Sequence, residues 1–321
     1  MYDVIIIGGG AAGLSAAMYA FGKRLDFLLI SGEASRKAGT PQYMNGKSAP
    51  QYLAGSEVLL TFERQIAKQP GRAMRDTVIE VKKFEDHLVV ETANNGTLHT
   101  VTVIVATGAR PVWLDIPGAE EMTGYGLGYS VTTHAALLRR KRVAILGLTV
   151  RSLRGAAEIA SSAERIYLVA NDPSEVDTPL AQVLKRWPHV EILSGYTPKE
   201  VLGETWVEGL LLQKDDTVRR LDVDAVFVDY GLVPQSHMVQ NLVQTDPDGF
   251  VWVDDRNMTT QPGVFAAGDV CVAFGEQVLI AIGDGARAAL SAYDYILARR
   301  LARLQKMKVE DKEEEAEEVV A

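Results

Sequence analysis

Three glycines near the start of the chain stand at the spacing used to bind a dinucleotide. Gly8, Gly10 and Gly13 form a G-x-G-x-x-G motif between the apolar run Asp3 to Ile7 and a segment rich in small residues. In such a motif the first glycine makes a tight turn, the second lets a pyrophosphate approach the backbone, and the third lets the helix pack on the strand. The free N–H groups and the positive dipole end of the helix face the phosphates. The motif therefore predicts a pyrophosphate site.

A glycine-rich turn of this kind needs further parallel strands beside its own, and the sequence contains segments of strand character. Phe27 to Ile30 reads as the second strand of a βαβ unit, and Glu33 follows where such units often place an acid against a ribose. Thr100 to Val105 reads as another strand. It runs into a second small-residue crossing close to the dinucleotide, formed by Ala106, Thr107 and Gly108. Later in the chain, Arg142 to Leu146, a helix and Ile166 to Ala170 suggest a second βαβ unit.

Composition narrows the class of protein. A chain of 321 residues with 47% hydrophobic and 23% charged residues suggests an ordinary globular protein of two domains. Its net charge of -9 argues against nucleic acid as a partner. No apolar run approaches the ~18 residues of a membrane span, and no signal peptide precedes the first strand, so we expect a cytoplasmic protein without a membrane partner. The histidines show no metal-ligand spacing, so no metal site is predicted.

Taken together, these motifs resemble those of the low-molecular-weight thioredoxin reductase family, within the FAD-dependent pyridine nucleotide-disulfide oxidoreductases. The resemblance runs to about Arg303 and rests on five segments in order: GGGAAG at 8–13, ATGARP at 106–111, GLVP at 231–234, GVFAAGDV at 263–270, and Gln277 with Gly283-Asp284-Gly285. It implies an α/β fold of two Rossmann-like dinucleotide-binding domains. An FAD domain at 1–115 and 245–305 would be interrupted by a second domain at 116–244. The remaining tail at 306–321 is predicted to be disordered because of its dense run of acidic residues. The resemblance also implies a homodimer.

The same resemblance assigns residues to FAD. Asp269 would hydrogen-bond the ribityl or phosphate region, and Gln277 would lie beside the isoalloxazine ring, whose edge the next helix N-terminus faces. Asn45, in the run YMNG, matches a family asparagine that contacts the flavin. The full set of implied cofactor residues is Gly8, Gly10, Ala12, Gly13, Glu33, Asn45, Ala106, Thr107, Gly108, Gly268, Asp269, Gln277 and Val278.

The chain departs from the family at the redox disulfide. Thioredoxin reductases carry CxxC and an aspartate before the second domain, and the matching residues here are Ser130, Thr133 and His134. Hydroxyl groups cannot cycle between dithiol and disulfide. The single cysteine of the chain, Cys271, lies elsewhere and reads as a small buried residue, so a dithiol relay within one subunit is excluded. His134 is the one candidate catalytic residue, for proton transfer at the flavin; a helix-start histidine without a catalytic role is the alternative.

A second departure concerns the pyridine nucleotide. Where the family has G-x-G-x-x-A, this chain has Gly147-Leu148-Thr149-Val150-Arg151-Ser152. Thr149 places a Cβ where close backbone approach is needed, and Asp172 stands where the family has basic residues for the 2′-phosphate. Arg151 and Arg154 could still meet phosphates. The fingerprint therefore disfavours NADPH, leaves NADH open, and favours another ligand or none in this domain.

These observations predict an FAD-dependent oxidoreductase without a redox disulfide. Its electron donor would be a ferredoxin-like protein, a second flavin or a small redox molecule rather than NADPH. Two alternatives stay open at this point. One is an NAD(P)H-dependent ferredoxin or flavin reductase that resembles the ferredoxin–NADP reductases. The other is a non-catalytic flavin-binding sensor or assembly partner.

Overall fold

The computed structural model of the chain describes residues 1–32, 43–44, 47–48, 55–172, 178–272 and 275–320. The chain divides into two compact units, each with its own sheet and core. The first comprises Met1–Ala38, Gly55–Ala109 and Pro234–Ala321, and the second comprises Gly39–Ala54 and Arg110–Val233. The second unit is thus inserted into a discontinuous first unit, as predicted.

The described strands are β1 (Tyr2–Ile7), β2 (Phe27–Ser31), β3 (Tyr43–Met44), β4 (Lys47–Ser48), β5 (Ala73–Arg75), β6 (Val78–Phe84), β7 (His87–Thr92), β8 (Gly96–Val105), β9 (Ala109–Pro111), β10 (Leu127–Gly128), β11 (Arg142–Leu146), β12 (Arg165–Ala170), β13 (Val190–Ser194), β14 (Thr197–Leu202), β15 (Gly209–Lys214), β16 (Thr217–Asp222), β17 (Ala225–Val228), β18 (Leu232–Pro234) and β19 (Val264–Ala266). The described α-helices are α1 (Ala11–Gly22), α2 (Gly55–Ala67), α3 (Ala119–Met122), α4 (Val131–His134), α5 (Val150–Ile159), α6 (Pro179–Leu184) and α7 (Val278–Val320). Short 3₁₀ helices occupy Ala135–Leu138 and His237–Val239.

The first unit is organised around the parallel pairing of β1. This strand lies between β2 and β8 in a sheet of order β5-β2-β1-β8-β7-β6, and β19 also pairs with β8. Ile5 stands opposite Leu28 on one side and Val103 on the other. Val4 and Ile6 pack with α1 and α7, whereas Ile5 and Ile7 belong to the core on the opposite face. Burial on both faces is why β1 is apolar throughout rather than alternating.

The second unit repeats this plan on a smaller scale. Its main sheet is parallel, with strand order β10-β17-β11-β12-β13. The same unit contains an antiparallel sheet of β14, β15 and β16. In β11, Val143 and Ile145 pack into one core cluster and Ala144 and Leu146 into another. Because β11 is central, the loop that follows it lies at the carboxyl edge of the sheet, where α/β proteins bind their ligands.

Two sequence-based boundaries differ from the structure. The unit boundaries fall at β9 and β18, earlier in the chain than the predicted positions 115 and 245. The closing helix, α7, begins at Val278 and continues through the predicted disordered tail to Val320. The physical reason is that Glu, Lys and Ala are strong helix formers, and extending an existing helix costs far less than nucleating a new one.

Candidate functional site

The turn after β1 is built around Gly8. Its φ of +113° lies in the region that favours glycine, and a Cβ there would lie 2.3 Å from the carbonyl oxygen of Ala106. The N–H of Gly8 donates to the Ile30 carbonyl at 2.8 Å, and the N–H of Ala106 donates to the Ile7 carbonyl at 2.8 Å. Gly8 is therefore required by the backbone itself, and the predicted site residue Ala106 packs directly against it.

Gly13 brings α1 against this turn. A Cβ on Gly13 would lie 1.8 Å from the carbonyl oxygen of Gly8 and 3.5 Å from the Cβ of Ala106. Any larger residue would push the helix away from the strand end. The role predicted for the third glycine, close packing of helix on strand, thus matches the geometry.

Gly10 differs from both, because the space beside it is open. It is the N-cap of α1, with extended backbone at φ -82° and ψ -168°. A Cβ on Gly10 would meet no atom within 4 Å among the residues that the structure describes. The first turn of α1 is Ala11-Ala12-Gly13, and no described side chain caps it. Its N–H groups and positive dipole end are therefore available to an anion.

The loop after β19 closes onto the same helix end. Gly268, at φ +74°, is wedged so that a Cβ would lie 3.1 Å from the Cβ of Ala12 and 3.3 Å from that of Ala281. Asp269 follows directly. Gln277 immediately precedes α7, and its carbonyl accepts a hydrogen bond from the N–H of Ala281 at 3.0 Å. The predicted residues at 268–269 and 277–278 thus lie near the first turn of α1 and at the start of α7.

Thr107 and Gly108 lie at the end of β8 and are held by one loop residue. Thr107 Oγ1 donates to the carbonyl of Gln235, and the N–H of Gln235 donates to the carbonyl of Gly108 at 2.9 Å. The other two predicted cofactor residues, Glu33 and Asn45, lie outside the described residues.

These features fit a dinucleotide such as FAD. The open space beside Gly10 and the uncapped first turn of α1 leave room and N–H donors for a diphosphate. At Gly8 and Gly13, by contrast, backbone atoms fill the place of a side chain. The residues that would hold it come from separate parts of the chain, because β1, β8, β19 and α7 meet in one unit. The individual contacts of each residue with FAD stay predictions.

The corresponding turn of the second unit is filled by its own side chains. Gly147 keeps the left-handed turn, with φ +91°, and a Cβ there would lie 2.2 Å from the Asp229 carbonyl oxygen. Thr149 is the N-cap of α5, and its Oγ1 accepts from the N–H of Ser152 at 3.1 Å. Ser152 is buried and donates from its own hydroxyl to the Thr149 carbonyl at 2.9 Å. The helix end that would receive a pyrophosphate is thus capped from within the chain.

Arg151, in the first turn of α5, forms an ion pair across the same edge of the sheet. Its Nε and Nη2 contact the carboxylate oxygens of Asp229 at 2.8 to 3.1 Å. Nη2 also donates to the carbonyl of Tyr129 at 3.2 Å. The Asp229 side chain is only 8% exposed and that of Arg151 is 24% exposed. The arginine considered as a phosphate ligand is therefore engaged by a buried carboxylate, whereas Arg154 is exposed.

Asp172, the other departure in this fingerprint, lies just beyond β12 and is exposed. Its effect on the 2′-phosphate of NADPH stays a prediction.

Ser130 and Thr133, at the two family cysteine positions, lie against each other. Ser130 is the N-cap of α4 and accepts from the N–H of Thr133 at 3.4 Å. The two hydroxyl oxygens are 2.9 Å apart. Two hydroxyl side chains cannot cycle between dithiol and disulfide.

His134 is held in one tautomer. Its Nδ1 lies 2.9 Å from the carbonyl oxygen of Ser130, and because a carbonyl only accepts, Nδ1 carries the proton. Burial lowers the pKa of His134, and the hydrogen bond to Ser130 opposes this only in part. The ring stacks on Phe227 with centroids 5.9 Å apart. His134 is therefore neutral near pH 7, with a lone pair on Nε2 that can accept a proton or a hydrogen bond.

Cys271 is buried, with 4% of its surface exposed. Burial, followed by the nearby charges of Asp284 and Asp269, raises the pKa of its thiol far above the usual range. A thiol that stays protonated is a poor nucleophile. This agrees with the prediction that Cys271 is a small buried residue.

Two features of the site have weak sequence signals. The Arg151–Asp229 pair joins residues 78 positions apart, and only the parallel pairing of β11 with β17 brings them together. The packing of Ala281 against the Gly268 turn is the second, because it depends on how α7 lies in the fold. Within the described residues, no group of three or more His, Cys, Asp or Glu could hold a metal ion, and no helix is long and apolar enough to cross a bilayer.

Two Rossmann-like units, one of them with an open helix N-terminus, are the architecture of a dinucleotide-binding protein. Residues 2–289 match the family described as pyridine nucleotide-disulphide oxidoreductase. The chain therefore belongs to this family, and the family supports FAD as its cofactor.

Curated relatives agree with this assignment. The chain is 31% identical over 308 residues to an alkyl hydroperoxide reductase subunit from Xanthomonas campestris pv. phaseoli, and the match covers 92% of this chain and 57% of that protein. It is 31% identical over 304 residues to the same-named protein of Staphylococcus epidermidis RP62A, where the match covers 92% of this chain and 59% of the relative. The chain thus spans less than two thirds of the length of these relatives.

Among solved structures, thioredoxin reductase from Streptococcus pyogenes MGAS5005 superposes with a TM-score of 0.82 at 27% identity. The match covers 93% of this chain and 99% of that one. The fold and the family resemblance predicted from the sequence are both confirmed.

Proposed function

We propose that this protein is an FAD-dependent oxidoreductase that takes electrons from a donor other than NADPH. The observation that carries the proposal is the contrast between two helix ends. The N-terminus of α1 is open beside Gly10, whereas that of α5 is capped by Thr149. Bound FAD supplies electron transfer in one- or two-electron steps. The protein's part is to hold it, shield it and select its partners.

The electrostatics of the second unit support the same proposal. A nucleotide diphosphate at α5 would have to displace the Thr149 cap. It would also find Arg151 already engaged with Asp229, a pair that is largely removed from water. Releasing Arg151 would leave a buried carboxylate without its partner, which is strongly unfavourable. The Thr149 cap and the Arg151–Asp229 ion pair would each weaken the binding of a pyridine nucleotide at α5.

The cysteine positions support the second part of the proposal, that no internal disulfide relays electrons. The relatives include a thioredoxin reductase and subunits of alkyl hydroperoxide reductases. This chain instead has hydroxyls at Ser130 and Thr133 and one buried thiol. Electrons would therefore pass directly between the flavin and an external partner. A ferredoxin-like protein, a second flavin and a small redox molecule are the partner classes we propose.

His134 has a defined role in this proposal. Its Nδ1–H is committed to the Ser130 carbonyl, so Nε2 is the atom that would accept a proton. Because burial lowers its pKa, the residue would act as a proton acceptor near neutral pH rather than as an acid.

An anaerobic stopped-flow experiment on the FAD-loaded protein tests this function. NADPH, NADH, a reduced ferredoxin and dithionite are mixed separately with the protein, and flavin absorbance is followed. We expect dithionite to reduce the flavin fully. Reduction by NADPH should be slow, and reduction by a non-nicotinamide donor should be fast. Rapid reduction by NADPH would overturn the proposal in favour of an NAD(P)H-dependent reductase.

A second measurement distinguishes catalysis from sensing. With a donor that reduces the flavin, steady-state oxidation of the donor by an acceptor should continue over many turnovers. Reduction of one flavin per chain without turnover would instead favour a flavin-binding sensor. Gly10→Val, which we expect to bind no FAD, is the negative control for both assays.

A further inference from the structure

Two histidines of the first unit face each other across the β7–β8 hairpin. The nitrogen atoms His87 Nε2 and His99 Nδ1 lie 2.8 Å apart, and the two ring centroids are 5.0 Å apart. His99 stands opposite Val89 in the ladder, and His87 shares a face with Val89 because side chains alternate along a strand. Twelve positions separate the two histidines in the sequence, so it is the pairing of β7 with β8 that brings them together.

The ring of His87 is oriented through its other nitrogen. Nδ1 lies 3.4 Å from Oδ1 of Asp86, and since a carboxylate only accepts hydrogen bonds, Nδ1 is the nitrogen that carries the proton. The lone pair of the neutral ring is therefore on Nε2, the atom that faces His99. Phe84 packs edge-on against the His87 ring, with centroids 5.4 Å apart. A carboxylate on the ring nitrogen away from the ligand is the usual outer shell of a histidine that binds a metal ion.

The two histidines differ in their access to solvent. His99 is exposed, whereas the side chain of His87 is only 16% exposed. One ring is thus held by its surroundings, while the other is free to rotate toward an incoming ion. Exposure of His99 also supplies the entry path that a metal site needs.

Cations near the pair are compensated by carboxylates. Lys82, on the neighbouring strand β6, has its Nζ 2.9 Å from Glu91 Oε1. From α7, Arg299 and Arg303 both contact the carboxylate of Asp86. Each of these three positive charges has an acidic partner, so the repulsion that a metal ion would meet at the histidine pair is reduced.

The separation of the two nitrogens fits one class of metal ion. Nitrogens bound at about 2.0 Å and about 90° apart are about 2.8 Å from each other, whereas a tetrahedral ion holds them about 3.3 Å apart. The observed 2.8 Å matches neighbouring positions around a square-planar or tetragonal ion. Cu²⁺ and Ni²⁺ take that geometry with nitrogen ligands, and Cu²⁺ binds the more tightly of the two.

We propose that His87 and His99 form a binding site for a tetragonal divalent ion, Cu²⁺ above all, on one face of the β7–β8 hairpin. His87 Nε2 and His99 Nδ1 are the ligands. Among the described residues no third His, Cys, Asp or Glu joins them, so water completes the coordination. Without metal, His99 Nδ1–H donates to His87 Nε2. When the ion binds, this proton moves to Nε2 of the exposed His99 ring, which leaves both facing lone pairs for the metal.

The proposed metal site is separate from the proposed FAD site. Strand β8 begins at Gly96 and ends at Val105, directly before Ala106. His99 is therefore roughly 20 Å along the strand from its flavin end, at about 3.3 Å per residue. The inference goes beyond the proposed function and does not depend on it.

The test is a titration of the full-length, FAD-loaded protein with Cu²⁺, followed by calorimetry and by electron paramagnetic resonance. We expect one tightly bound Cu²⁺ per chain with two imidazole nitrogen ligands, and weaker binding of Zn²⁺. His87→Gln and His99→Gln should each weaken Cu²⁺ binding by more than about a hundredfold, the upper end of what outer-shell changes cost. Asp86→Asn should weaken it by about tenfold and leave both nitrogen ligands in the spectrum.

His237→Gln is the matched control, because His237 is an exposed histidine of the same unit. It should bind Cu²⁺ as wild type does, and circular dichroism shows whether each variant is folded. Cu²⁺ affinity that is unchanged in the double variant of His87→Gln with His99→Gln would overturn the inference. A wild-type spectrum with a single nitrogen ligand would overturn it too. Both results concern metal binding alone, so the proposed function would stand.

Discussion

The turns after β1 and β11 follow the same plan and differ at the positions that matter for a ligand. Both have the first glycine, Gly8 and Gly147, with positive φ and with carbonyl oxygens 2.3 and 2.2 Å from the place of a Cβ. At the next motif position, however, Gly10 faces open space and Thr149 caps its own helix. The first glycine is therefore required by the fold in both units. The second glycine is present only where the helix end is left open for a phosphate.

The first turns of α1 and α5 also differ in their charged side chains. No ionisable side chain stands in the first turn of α1, among Ala11 to Leu14. The first turn of α5 instead carries Arg151, which is engaged by the buried Asp229. In the proposed function, this internal ion pair takes the part that an external anion would have. If the proposal is right, a Rossmann-like unit can have its sheet and core intact while its helix N-terminus is closed to a nucleotide.

The largest expected effect is on FAD binding through Gly10. Gly10→Val should fold normally, because a Cβ there meets no atom of the described chain within 4 Å, yet a branched side chain would occupy the diphosphate position. We expect FAD affinity to fall by at least about a thousandfold, roughly 4 kcal/mol. Flavin fluorescence titration and circular dichroism measure the two quantities. Thr149→Val, the matched change in the second unit, should leave FAD binding unchanged, and equal losses in both variants would break the comparison.

A smaller but still large effect is expected on stability when the ion pair of the second unit is broken. Asp229→Ala would leave Arg151 half-buried without its carboxylate, which should cost about 3 kcal/mol. Denaturant unfolding monitored by intrinsic fluorescence gives this value. The double variant Asp229→Leu with Arg151→Met removes both charges and should recover most of the loss. An Asp229→Ala variant as stable as wild type would show that the Arg151–Asp229 ion pair does not hold Arg151 away from a ligand at α5.

The cap of α5 should have a smaller effect. Thr149→Ala removes the acceptor for the Ser152 N–H and should lower the free energy of unfolding by about 1 kcal/mol, whereas Thr149→Gly should cost only a few tenths. Thermal unfolding of the two variants checks this order. A larger loss for the glycine variant would show that Thr149 acts through its Cβ packing rather than as a cap.

The smallest effect is expected at the positions that match the family disulfide. Ser130→Cys with Thr133→Cys introduces two thiols on a turn whose hydroxyl oxygens are 2.9 Å apart. The rate of flavin reduction by NADPH should not change, because the N-terminus of α5 stays capped by Thr149 in this variant. Stopped-flow traces of the variant and wild type should superimpose. A variant that gains rapid NADPH reduction would place the defect at the disulfide instead of at α5.

The fold is well predicted from the sequence because the strongest signals are local. The apolar run before Gly8 and the run Arg142 to Leu146 each form a central strand of a parallel arrangement. The glycine spacing also identifies the open helix end. The Arg151–Asp229 pair could not be predicted, since its partners meet only after β11 and β17 align in register. The extension of α7 to Val320 is likewise unexpected, because a dense run of charge is typical of disorder and here helix propensity prevails.

Isothermal titration of the FAD-loaded chain with NADPH and NADH tests the central claim most directly, because it asks whether the second unit is a nucleotide site at all. The account predicts one FAD per chain and no heat of binding for NADPH at concentrations up to about 1 mM, a limit set by the weak end of ordinary enzyme affinities. Saturable binding of NADPH in the micromolar range, lost in Thr149→Val, would contradict it.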